Sequence, residues 1–144
     1  MYSMLVFVHV VSSLFLGTYL VLPIIINAIS SRSSTELKPV LKILLSFTRA
    51  GHYALILLVI SGGSMVISYT SYPSILWVIL SILLLIAIGG LIGLINKNIR
   101  QILLAEDPKK KLADNISTLK WYGWLNTLLV ITTLFIMTNR GLFV

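Results

Sequence analysis

Residues 75–95 read ILWVILSILLLIAIGGLIGLI, a run without one charged side chain. A bilayer core about 30 Å thick is crossed by about 20 apolar residues in helical form. In hydrocarbon, only a helix or a closed barrel satisfies every backbone N–H and C=O. This run is long enough to cross as a helix and much too long for one strand. Working outward from it, three more stretches qualify, at residues 4–27, 50–68 and 123–138. The expected fold is therefore all-α: a four-transmembrane-helix bundle in which residues 1–144 form a single integral membrane domain. Composition agrees, with 58% hydrophobic and 10% charged residues, where a soluble domain carries about 25% charged. No cysteine is present, which excludes disulfides, zinc–thiolate sites, iron–sulfur clusters and thiol catalysis. The stretch at 4–27 lacks a positive segment before it and a small-residue cleavage site after it, and is expected to be a retained span.

The charges are sorted by connection. Arg32, Lys38, Lys42 and Arg49 lie between the first and second spans, and Lys97, Arg100, Lys109, Lys110, Lys111 and Lys120 between the third and fourth. The second connection, Tyr69 to Ser74, carries no charge, and only Arg140 follows the fourth span. The positive-inside rule then puts the two charged connections in the cytoplasm and both termini outside. It also accounts for the net charge of +7 without nucleic acid as a partner. Tyr69, Tyr72 and Trp77 are expected at the outer interface, with Trp121, Tyr122 and Trp124 at the inner one. Leucine, isoleucine and lysine alternate at roughly helical spacing over residues 35–48 and 97–113, so these segments either extend the spans or lie along the membrane surface. Ser30 to Ser34 reads as a turn, and Asp107-Pro108 ends any extension of the third span.

Helices in lipid associate through small residues and interhelical hydrogen bonds. The expected interior faces are His9, Ser13 and Gly17 in the first span, and Ala50, Ala54, Leu57, Ser61, Ser64 and Ser68 in the second. Gly89, Gly93 and Asn96 form that face in the third, with Asn126 and Thr133 in the fourth. Gly89 and Gly93 make a GxxxG pair, which serves packing within the chain or a homodimer.

No Asp, Glu, Lys or Arg falls inside the four runs. Proton-coupled transport and carboxylate acid/base chemistry normally need such groups at depth, so no catalytic residue is assigned. Two histidines remain. His9 sits five residues inside Met4, about 7.5 Å at 1.5 Å per residue, on a face with Ser13 and Gly17. A neutral imidazole in an apolar setting is a haem-iron ligand, and a glycine two turns on admits a flat macrocycle. The alternative is an imidazole hydrogen-bonded to a neighbouring helix. His52 lies near the inner boundary on a face with Ile56, Val59 and Gly63, opposite the serine stripe, as an interfacial residue or a second ligand. The two are expected to stand roughly 18 Å apart along the membrane normal, so one iron does not take both.

Phe7-Val8-His9, followed by Gly17 and Pro23, resembles the opening helix of small bacterial haem-pathway membrane proteins, the four-helix protoporphyrinogen oxidase family and its copper-resistance-D-like relatives. The resemblance covers about the first 27 residues together with length and span count. It implies a multi-pass protein of the bacterial inner membrane in which His9 is the metal ligand of a haem b, with Gly17 and Pro23 as structural positions. That family has a basic residue just after the proline and a further histidine near the end of the span, where this chain has Ile24, Ile25 and Asn27. Two functions follow as expectations. One is a b-type haem-binding or redox-associated protein using His9, with Gly17 and His52 as further cofactor-binding candidates. The other is a non-enzymatic accessory or assembly subunit, whose partners besides the lipid bilayer are a second copy or a larger membrane complex.

Overall fold

The computed structural model describes residues 1–68 and 74–143, for 140 and 143 the backbone alone. The first span is broken into α1 (Tyr2–Gly17), a 3₁₀ turn (Thr18–Val21) and α2 (Leu22–Ser30). It is followed by α3 (Ser34–Ile67), α4 (Ile75–Leu104), α5 (Pro108–Thr138) and a last 3₁₀ turn (Arg140–Phe143). Among the described residues four helical stretches are long and apolar enough to cross a membrane: Tyr2–Ser30, Ser34–Ile67, Ile75–Leu104 and Pro108–Thr138. Each covers one of the apolar runs, leaving out only Ser68, and outreaches it at the charged end, because the charged connections are helical rather than looped. At about 1.5 Å per residue, the 34 residues of α3 reach well past a hydrocarbon core of about 30 Å. The lysine-bearing segments therefore extend α3, α4 and α5 lengthwise. Leu37, Leu41, Leu44, Ile99, Ile102, Leu112 and Leu119 line the inside of that extension and are all buried.

The helices form a ring. The first span packs on α3 and α5, α3 on α4, and α4 on α5, while α3 and α5 meet only slightly. Three local devices set this arrangement. The connection at Ser31–Ser33 is short, and Asp107 caps α5 by accepting from the Lys110 backbone N–H at 3.2 Å, with Pro108 in the first helical position, where its missing N–H costs nothing.

The third device is the bend in the first span. Pro23 has no N–H for the Tyr19 carbonyl, which accepts from the Leu22 N–H instead; the helix tightens into a 3₁₀ turn at that point. The bend sends α1 onto α3 and α2 onto α5. Tyr19 locks it: fully buried, it donates to the Phe47 carbonyl at 2.6 Å and stacks on the Phe47 ring at 4.7 Å between centroids. Gly51 makes this seat, since a Cβ there would collide with the Tyr19 ring.

The interior faces of α4 and α5 are those expected. Gly89 and Gly93 face Leu55 and His52 of α3, and Asn96 Nδ2 donates to Thr48 Oγ1 at 3.0 Å, so the GxxxG pair is used within the chain. Asn126 and Thr133 are buried. Both side-chain polar atoms of Asn126 lack a hydrogen-bond partner among the described residues. On α3 the face is rotated: Leu58 is buried and Leu57 points outward, because Thr48, Gly51, Leu55 and Leu58 follow the contacts with α1 and α4. Tyr69 and Tyr72 lie outside the described residues.

Candidate functional site

At the end of the bundle away from the lysines, α1 has diverged from α5, and the four helices no longer close on one another. A cavity of about 430 Å³ results, within the range of about 300–1,000 Å³ usual for small-molecule sites. Apolar side chains make most of its wall. Tyr2, His9, Met65, Trp77, Ser81 and Met137 bring the few polar or polarisable atoms, one or two from each of α1, α3, α4 and α5. Val59 and Gly63 on one side and Ile82 on the other are exposed cavity residues, so the mouth lies between α3 and α4 and faces sideways.

His9 is held from two directions. Its Nδ1 lies 3.0 Å from Ser61 Oγ. Ser61 commits its single hydroxyl proton to the Leu57 carbonyl at 2.6 Å, so toward His9 it accepts. The proton of the imidazole is therefore assigned to Nδ1, and Nε2 keeps a lone pair. The ring also lies against Gly62, where a Cβ would come within 3.2 Å of His9 Cε1. Ser61 and Gly62 together orient the imidazole: one fixes its tautomer, the other clears the space it fills. On the next helix, Trp77 Nε1 donates 2.9 Å to the Ile136 carbonyl. That carbonyl belongs to the last turn of α5, where no intrahelical donor remains, so Trp77 fastens α4 to the end of α5. It is half-buried and serves as a clasp beside the cavity rather than a freely exposed belt residue.

The three residues singled out from the sequence are not brought together. Gly17 is eight residues from His9 on α1, in a shallow groove with Ser13 and Leu134 between α1 and α5. Nothing lies within 4 Å of a Cβ added there, so no macrocycle in the His9 cavity rests on it. His52 is half-buried against α4, with Nδ1 3.2 Å from the Thr48 carbonyl and Nε2 beside Gly93. It faces a neighbouring helix rather than away from the bundle. The separation of the two histidines follows from the His9–Ser61 contact: nine residues of α3 divide Ser61 from His52, about 13.5 Å along the axis. That is shorter than expected and still far too long for one metal. Among the described residues no group of three or more His, Asp or Glu side chains gathers to hold an ion.

The sequence pattern did not point to Ser61 and Gly62 as partners of His9. Their pairing depends on the register of two antiparallel helices 52 residues apart, and only the cluster Ser61-Gly62-Gly63 hinted at a close approach. Comparison with protein-family models, curated proteins and solved structures gave no match.

Proposed function

We propose that the chain is a multi-pass cell-membrane protein, of the bacterial inner membrane, that binds a b-type haem in the sideways-opening cavity, with His9 as axial ligand. The observation that carries this reading is the locked imidazole: Nδ1 is tied to Ser61 and the lone pair of Nε2 is left for a ligand. Metal-bound histidines generally donate their other ring N–H in this way, which raises their basicity and fixes the ring. The donor set suits a group that brings its own equatorial ligands, since the wall offers one imidazole, the thioethers of Met65 and Met137 and the phenol of Tyr2. A bound haem would supply one-electron chemistry. The chain's own contribution is to orient His9, to surround the site with apolar walls, and to keep water out at the Trp77 clasp. The resemblance of the first span to haem-pathway membrane proteins points the same way, on His9 and not on Gly17 or His52.

In this reading the lysine-rich end lies in the cytoplasm and both termini outside, an orientation that the sorting of the charges supports. Counted from Arg49, the level of Ser61 is twelve residues on, about 18 Å, so His9 sits near the middle of a core of about 30 Å. That is deeper than a count from Met4 gives, and an imidazole at that depth needs a partner at every polar atom. The test is the absorption spectrum of protein purified from haem-replete cells. A Soret band that disappears in His9→Ala is expected; a wild-type preparation without one contradicts the proposal.

A second reading, an accessory subunit of a larger membrane complex, is favoured by the groove between α1 and α5. There Ser13 and Gly17 stand a turn apart beside Leu134, a spacing suited to a further helix. Co-purification with larger subunits supports it, and a solitary monomer in mild detergent speaks against it.

A further inference from the structure

We infer that the bundle carries a ring of anionic-phospholipid headgroup sites at its lysine-bearing end, built by Arg49, Lys97 and Lys120. The register of the helices puts these three near one level. The Asn96–Thr48 hydrogen bond of 3.0 Å sets Arg49 beside Lys97. Between α4 and α5 the register is set by Trp77 and Ile136: twenty residues along from that pair, Lys97 stands opposite residue 116, one turn from Lys120. The same count puts Tyr53 level with residue 122, between Trp121 and Trp124. These three aromatic side chains are 64%, 66% and 64% exposed, and beyond them the outward-facing residues of α3 and α5 are Ile56, Ile60, Leu128 and Ile131. Around the bundle the order is therefore apolar, then aromatic, then cationic, all within about three turns. That is the polarity profile of a lipid from acyl chain to phosphate.

The cations are available to a ligand. The only ion pair among the described residues joins Arg32 to Glu36, and Asp114 lies six residues beyond Lys120, farther from the apolar zone. Arg49 and Lys97 are exposed and Lys120 half-buried. Three cations spread over three helices match separate headgroups in the plane of a leaflet better than one extended polyanion.

The test uses the full chain, in which Trp121 and Trp124 report on the lysine-bearing end above a contribution from Trp77 at the opposite end, reconstituted in phosphatidylcholine bilayers. Brominated phosphatidylglycerol and brominated phosphatidylcholine are compared as quenchers at equal mole fraction. The expected result is a preference of about fivefold for the anionic quencher at low salt, falling as salt screens it, and its loss in Arg49→Gln/Lys97→Gln/Lys120→Gln. Should the triple variant fail to insert, Lys97→Gln alone is expected to reduce the preference. Equal quenching by both lipids, a preference that survives neutralisation, or displacement by inorganic phosphate at matched ionic strength would each overturn the inference.

Discussion

At His9 a single hydroxyl decides which ring nitrogen is free. Ser61 has one proton and donates it to the Leu57 carbonyl at 2.6 Å, so the Nδ1 contact at 3.0 Å has only one polarity. Removing that hydroxyl leaves Nδ1 without its acceptor and releases the choice of tautomer. Ser61→Ala is therefore expected to retain a Soret band with haem affinity lowered by about 10–100-fold, the usual cost of losing a group that orients a metal ligand. Equilibrium titration of the variant measures it, and an unchanged affinity would show that Ser61 does not orient the ligand. His9 itself was legible in the sequence, because an imidazole among Leu5, Val6, Val8 and Val10 stands out. Its partner was not, since nothing local records which residue of a distant helix lies opposite. Gly17 illustrates the converse. It follows His9 by eight residues along α1, which turns it about 80° around the helix axis, so it lines the groove beside Leu134 and not the His9 cavity.

Among the elements, the first span has the most to explain. A straight helix there would pack along one groove, whereas the break at Thr18–Val21 lets its two halves follow different neighbours, and the cavity lies at the end where α1 has left α5. Tyr19 holds the break in place through Phe47 and depends on the absence of a side chain at Gly51. Gly51→Ala is expected to destabilise the protein by about 1–3 kcal/mol, the range for overfilling a packed site, seen as a lower thermal unfolding midpoint in detergent. A midpoint equal to wild type would mean that Tyr19 moves without cost. Pro23 was visible from the start, but whether it ends a helix, kinks it or merely starts one depends on what the freed Tyr19 carbonyl finds. The residues of α3 that face inward were likewise only half legible. The alternation of small and large side chains allows two rotations of the helix about 100° apart, and contacts with α1 and α4 select the one that buries Leu58 over Leu57.

For the whole molecule, the four apolar runs were plain because a hydrocarbon core admits few alternatives. The length of the helices was less so. Residues 35–48 and 97–113 have a pattern that fits a helix on the membrane surface as well as one standing clear of it. Burial of Leu37, Leu41, Ile99 and Ile102 inside a common core selects the second. The proposed orientation is open to a direct check, because the chain has no cysteine and a single one can be introduced at will. With a membrane-impermeant maleimide on intact cells, Thr138→Cys is expected to label and Lys110→Cys to label only after permeabilisation. The reverse pattern would invert the topology.

If the cavity accepts a haem through the Nε2 of His9, haemin titration of the reconstituted protein saturates at one equivalent for the wild type. Binding is then lost in His9→Ala and recovered when free imidazole is added to occupy the space the side chain leaves. Wild-type protein that takes up no haemin, or a His9→Ala variant that binds it as well without imidazole, would rule out His9 as the ligand.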